Sequence, residues 1–102
     1  MSKRDNVLES TMQAKVIDKI KQMLPGSIVL KNDPNYIQGI PDLSVYWENK
    51  WAYLEVKANK NSPHRPNQDY YIDKANNMSF GSFISGDDYK SVLHRLWDYM
   101  NE

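Results

Sequence analysis

At 102 residues, with 13 Lys and Arg against 13 Asp and Glu, the chain has the size of one small domain and no net charge. It carries no global basic signal for nucleic acid, so the local distribution of charge has to identify any partner. The absence of cysteine excludes disulfides and Cys-based zinc sites. No apolar run approaches the ~20 residues that span a bilayer, and the N-terminus has no apolar core of signal-peptide length. The expected setting is a reducing cytoplasm with no membrane partner. A core this small often gains stability or a substrate surface by pairing with a second copy.

The first element is expected to be a helix capped by Asp5 or Asn6, ending near Leu24 where Pro25-Gly26 stops it. At about 100° per residue, Leu8, Met12, Val16, Ile17, Ile20, Met23 and Leu24 share one arc, and Glu9 falls in line with Val16 and Ile20. A carboxylate on the core side is costly without a partner. Two readings stand: Glu9 bends out to water in the first turn, where acids suit the helix dipole, or it reaches a site. Lys3, Arg4, Lys15, Lys19 and Lys21 are read as solvated helix charges.

Ser27 to Lys31 reads as a short β-branched strand between Pro-Gly and Asn-Asp-Pro. Asn32 to Gly39 is a loop, and Gly39 before Ile40-Pro41-Asp42 points to a close backbone approach or an unusual dihedral. Pro41 suits the first position of a strand. The next run and its partner form a hairpin. With Asn49-Lys50 as the tip, Trp47 faces Ala52, Val45 faces Leu54 and Leu43 faces Val56, all apolar and on one face. The other face then pairs Tyr46 with Tyr53, Ser44 with Glu55, and Asp42 with Lys57. A three-residue loop would scatter the apolar residues, so burial selects an even register. The tip lacks the favoured Asn-Gly signal.

After a polar loop carrying Lys60, His64 and Arg65, Pro66 opens a helix to about Asn76. Gln68, Tyr71, Ile72 and Ala75 share its inner face. Ser79 to Ser85 reads as a fourth strand weakened by Gly81, and Asp87 caps a last helix to about Met100. Its apolar stripe is Tyr89, Val92, Leu93, Leu96 and Met100, with His94 on its surface. Tyr70-Tyr71 and Trp47-Trp51 are read as core and hairpin packing. The fold class is α+β: an α-β-β-β-α-β-α order with a mixed sheet and helices packed on it.

Asp42 and Glu55 offer the hard oxygen ligands that Mg²⁺ or Mn²⁺ prefers, with the Val56 carbonyl as a further donor. Lys57 returns to the face of Glu55 and can orient a water or offset developing charge. Glu9 would complete the metal shell or act as base, and Gln68 could hold the water or the phosphate. The competing reading is a cross-strand ion pair on an open strand face. Lys31, Lys60 and Arg65 flank the proposed site and are the candidate phosphate contacts.

Gly39-Ile40-Pro41-Asp42-Leu43, then Glu55-Val56-Lys57, then Gln68 on the following helix, resembles the PD-(D/E)XK nuclease superfamily, and within it the VRR-NUC group of virus-type replication-repair nucleases. The resemblance covers nearly the whole chain and implies a restriction-endonuclease-like αβββαβ core with a C-terminal helix. It also implies a metal-dependent DNA endonuclease: Asp42, Glu55 and Lys57 as metal-binding and catalytic core, Glu9 as the acidic residue of the first helix, and Gln68 as the helical glutamine. Stand-alone minimal members are similar to Holliday-junction resolvases, homodimers that cut branched DNA and occur in phages. A nuclease-fold module that binds nucleic acid without cutting is the alternative, and a protein-binding or inhibitory factor on the same fold is a third reading.

Overall fold

Apolar alternation in two short runs sets the centre of the fold, because each strand must turn its Leu and Val side chains to the same side of the sheet. The computed structural model describes residues 3–102, with side chains from residue 8 onward. The elements are α1 (Lys3–Met23), β1 (Ile28–Lys31), β2 (Leu43–Trp47), β3 (Lys50–Val56), α2 (Pro66–Met78), β4 (Phe80–Ile84) and α3 (Tyr89–Met100). The strands form a four-stranded sheet in the order β1-β2-β3-β4. The first three strands are antiparallel, and β4 runs parallel to β3 after the α2 crossover. The expected mixed sheet flanked by helices is therefore present.

One face of the sheet carries Leu43, Val45, Ala52, Leu54, Val56, Phe80 and Ile84. It packs against Val16, Ile20 and Leu24 of α1 and Val92, Leu93, Leu96 and Met100 of α3. Burying each such side chain stabilises the fold by roughly 1.5–3 kcal/mol. The opposite face receives α2, which lies on β4 and β3 and buries Ile72 and Ala75. Gly81 makes that approach possible: a Cβ there would meet Ile72 O at 2.6 Å and Ala75 Cβ at 2.8 Å. The glycine that weakens the strand in sequence terms is what allows the helix to dock.

The hairpin keeps the expected parity but not the expected tip. Leu43 pairs with Leu54, Val45 with Ala52 and Trp47 with Lys50, so the turn residues are Glu48 and Asn49 rather than Asn49 and Lys50. The reason lies outside the hairpin. Trp47 is tied by its indole N–H to Pro25 O (2.9 Å). The Lys50 amine donates to Tyr99 O (2.7 Å) and Glu102 O (3.1 Å), capping the C-terminal end of α3. Those ties hold the tip in place although Glu48 must adopt a positive φ of 55°. The shift moves every cross-strand partner by two residues. Tyr46 now faces Trp51, Ser44 faces Tyr53, and extending the register one step puts Asp42 opposite Glu55 instead of Lys57.

Other boundaries differ by small amounts. Helix α1 begins upstream of Asp5 and Asn6, so neither is its cap, and the side chains of both lie outside the described residues. Helix α2 runs two residues further than expected, to Met78. The cap of α3 is Asp88, not Asp87. Asp88 Oδ1 is held by the Ser85 N–H (2.8 Å) and hydroxyl (3.0 Å), whereas Asp87 accepts from the Lys60 N–H (2.9 Å). Leu8 and Tyr70, expected on buried faces, are 44% and 55% exposed.

The close α2–β4 packing has a direct test. Gly81→Ala should lower stability by about 2 kcal/mol, a fall of roughly 10 °C in melting temperature, because backbone at Ile72 has to move. An unchanged melting curve would contradict that docking geometry.

Candidate active site

Asp42 sits where the chain leaves an irregular loop and enters β2. Asn32 fixes that point from behind. Its backbone N–H donates to Asp42 O (2.8 Å), and its side-chain amide donates to Pro41 O (2.8 Å) and the Ser44 hydroxyl (2.8 Å). Gly39 fixes it from the side. Its φ is +88°, and a Cβ there would lie 2.3 Å from Asn67 Cβ at the start of α2. Both features expected of Gly39, the unusual dihedral and the close approach, are present. The loop is thereby clamped to the N-terminal end of α2, next to Gln68.

Four side chains then form one network. The Val56 N–H donates to Asp42 Oδ2 (2.9 Å), and the Asp42 N–H donates to Glu55 Oε1 (3.1 Å). Gln68 donates from Nε2 to Glu55 Oε2 (3.1 Å) and accepts at Oε1 from the Lys57 amine (2.8 Å). The Lys57 amine is 4.0 Å from Glu55 Oε2, and both side chains are almost fully buried. The Arg65 N–H also donates to Gln68 Oε1 (3.1 Å). Gln68 is thus held in one orientation by Lys57 and the turn that starts α2, and it bridges the lysine and the glutamate.

Burial dominates the electrostatics. It pushes the Glu55 carboxyl up to about 8; the neighbouring negative Asp42 pushes the same way, and Lys57 only partly offsets the two. Asp42 is also raised by burial, against the Val56 N–H bond and Lys57, which pull it down. A buried and a half-buried carboxyl group set side by side favour a shared positive charge. Among the described residues, Asp42 Oδ1 has no hydrogen-bond partner, and a carboxylate oxygen that already accepts one bond can still take a metal. The donor set, hard oxygens from Asp42 and Glu55, fits a divalent cation of the Mg²⁺ or Mn²⁺ type, which needs few carboxylates and keeps several waters. Val56 turns its side chain into the core between them.

Two cavities meet at this network. One, about 760 Å³, lies between the loop at Tyr36–Ile40 and the start of α2. The other, about 600 Å³, is lined by Glu9, Lys57, His64 and Arg65. Asp42, Glu55, Arg65 and Gln68 line both. Glu9, half-buried on α1, therefore faces the site, and its charge contributes to raising Glu55. Among the described residues, no three His, Asp or Glu side chains are grouped closely enough to hold a metal by themselves. Lys60 lines a neighbouring cavity together with Lys57 and His64, and Lys31 is exposed at the end of β1 without lining any of these cavities. The side chains of Lys3 and Arg4 lie outside the described residues. His94 is at the surface and pairs with Asp98 (3.4 Å).

Three contributors were not singled out as site residues in the sequence. Asn32 supports the Pro41–Asp42 turn, Asn67 closes on Gly39, and His64 pairs with Asp69 (Nδ1 to Oδ1, 3.1 Å). Asn-Asp-Pro marks a turn, but nothing local says that Asn32 reaches across to Ser44. The His64–Asp69 spacing crosses a helix start, where sequence separation does not give direction.

The raised Glu55 carboxyl makes the protein's stability depend on pH in a defined sense. Its folded value, about 8, exceeds its unfolded value near 4.5, so the folded state keeps a proton that the unfolded state releases. Without divalent metal, stability should fall as pH rises from about 5 to about 8, by up to about 1.4 kcal/mol per pH unit. Asp42 acts in the same direction. Denaturant midpoints across that range should show a clearly smaller slope for Glu55→Gln, and equal slopes would contradict the buried-carboxyl assignment.

Comparison with known proteins adds the fold. Neither a family model nor a curated protein sequence matches the chain. Among solved structures the chain is similar to a VRR_NUC domain, with a TM-score of 0.69 and 22% identity, covering 90% of this chain and 97% of that one. At that identity the likeness concerns the fold alone: the chain has the architecture of that VRR_NUC domain, and in this chain Asp42, Glu55, Lys57 and Gln68 gather at one end of the sheet.

Proposed function

We propose that the protein is a Mg²⁺- or Mn²⁺-dependent endodeoxyribonuclease that hydrolyses phosphodiester bonds in branched DNA. The observation that carries this reading is the pairing of half-buried Asp42 with buried Glu55, beside Lys57 and Gln68, on the wall of an open cavity. A cross-strand ion pair on a solvated face would not place two carboxyl groups side by side with so little compensation. The VRR_NUC-type fold supports the same reading.

The chain's own groups divide the work. Asp42 and Glu55, with Glu9 and the Val56 carbonyl near them, would hold the cation. When bound, it would polarise the phosphate and supply a water of lowered pKa. Lys57, a fixed positive charge at the same wall, stabilises the charge that builds on the phosphate as the water attacks. Gln68 keeps the Lys57 amine from collapsing onto Glu55 by standing between them, and it offers an amide to the water or the phosphate. Arg65, which lines both cavities, would meet the DNA backbone, with Lys60 on the neighbouring cavity and Lys31 further out.

Cleavage of a labelled four-way junction with Mn²⁺ tests the reading. Wild type should cut, and Lys57→Ala should lose at least ~10²-fold in rate. Gln68→Ala should retain more activity than Lys57→Ala. Salt-dependent junction binding by wild type with no metal-dependent turnover would instead establish a nuclease-fold binding module. Absence of both binding and turnover would leave a protein-binding role.

The homodimer belongs to the same proposal, in a cytoplasm that can be that of a phage host. The sheet face that α2 leaves uncovered exposes Ile28 (58%), Leu30 (48%) and Tyr46 (41%), and Ile28 and Tyr46 are register partners on that face. A contiguous apolar patch on a small domain favours self-association, and a second copy would bring a second site to one junction. Leu30→Asp should shift the protein to monomer in sedimentation and lower the fraction of junctions cut on both strands. An unaltered oligomeric state would remove this face from the proposal.

A further inference from the structure

His64 projects from the loop between β3 and α2, and two contacts define its ring. Nδ1 is 3.1 Å from Asp69 Oδ1 on the first turn of α2. The ring stacks on Phe83 of β4, with centroids 3.6 Å apart and planes within 11°. Among the described residues, Nε2 has no hydrogen-bond partner. The residue lines the cavity that Asp42, Glu55, Lys57 and Gln68 also line. A carboxylate on Nδ1 fixes the tautomer and leaves Nε2 as the atom that gives and takes protons. Stacking on Phe83 limits rotation of the ring. An exposed histidine needs neither constraint, and the two together produce a directed imidazole at the edge of the site.

In the nuclease reading, Lys57, Gln68 and a cation held by Asp42 and Glu55 would all serve the attacking water and the phosphate. None is assigned to the oxygen that departs, which leaves as a poorly stabilised alkoxide unless it is protonated. We propose that His64, oriented by Asp69 and Phe83, is the general acid that protonates the departing sugar oxygen. This inference rests on the nuclease reading. In the step, water adds to phosphorus and gives its proton to solvent. The bond from phosphorus to the departing oxygen breaks, and that oxygen takes the proton from Nε2. The neutral imidazole is then reprotonated from solvent. The charged and titratable groups around His64 are Asp69 on α2; Asp42 at the entrance to β2 and Glu55 on β3; Lys57, Lys60 and Arg65 on its own strand end and loop; Glu9 on α1; and Asp88 and Arg95 at the side of α3.

The test compares two substrates, a junction with its natural ester at the mapped cut site and one with bridging sulfur in place of the departing oxygen. A thiolate leaves without a proton. With Mn²⁺, His64→Ala should cut the natural ester about 10²-fold more slowly than wild type and the sulfur-bridged ester within about threefold of wild type. Asp69→Asn should show a smaller loss on the ester and the same recovery on the sulfur substrate. A purely structural role for the stack would slow both substrates alike, and that result overturns the inference. So does an undiminished rate for His64→Ala on the ester while Lys57→Ala is inactive, which leaves the nuclease reading standing. No cleavage of either substrate by wild type overturns that reading and this inference with it.

Discussion

The placement of half-buried Asp42 opposite buried Glu55, at the end of the central hairpin, is the constraint on which the rest of the structure depends. Two carboxyl groups in this position repel when ionised, and burial penalises each charge separately. The result is a Glu55 that holds its proton up to about pH 8. Lys57, 4.0 Å from the glutamate, offsets only part of this, because burial and the Asp42 charge together outweigh it. A hydrophobic pair in the same place would be more favourable for folding. A divalent cation reverses the sign of the problem, since both carboxylates then gain a partner at once. The cost of this pair to the folded chain and the cation binding proposed for it would be two descriptions of one arrangement.

Most of the remaining architecture keeps that arrangement from relaxing. Asn32 ties the loop carbonyls at Pro41 and Asp42 so that the aspartate cannot swing outward. Gly39 lets the loop press against Asn67, and Gly81 lets α2 sink onto the sheet, so that helix and loop grip the same point from two sides. Gln68 is held through the Arg65 N–H at the start of α2, where Pro66 sets the first turn. Behind the site the core of α1, α3 and the sheet supplies the stability that the two carboxyl groups cost. At the far end of the hairpin, the Trp47 and Lys50 ties fix the register that puts Asp42 beside Glu55.

Much of this was legible in the sequence, for identifiable reasons. The alternation of Leu43, Val45, Ala52, Leu54 and Val56 has only one parity that buries them, so the faces followed. The three- and four-residue spacing of Gln68, Ile72 and Ala75 put Gln68 inward. Register within the parity was not legible. A shift of two residues leaves the faces unchanged, and the choice was made by Trp47 reaching Pro25 and Lys50 reaching the end of α3, contacts far apart in the chain. The partner of Asp42 was misread for that reason. Gly81 was read as a weakness because its packing partner, the Ile72 carbonyl, is on another element. The His64–Asp69–Phe83 group joins three segments and has no local signature.

Calorimetric titration with Mn²⁺ near pH 7, repeated in buffers of different ionisation enthalpy, tests most directly whether the buried pair is a cation site. Each ion bound should release about one proton, because Glu55 must give up the proton that burial makes it keep. Asp42→Asn and Glu55→Gln should each abolish saturable binding. Saturable binding that releases no proton, or that persists in either variant, would place the cation elsewhere and contradict the role assigned to the Asp42–Glu55 pair.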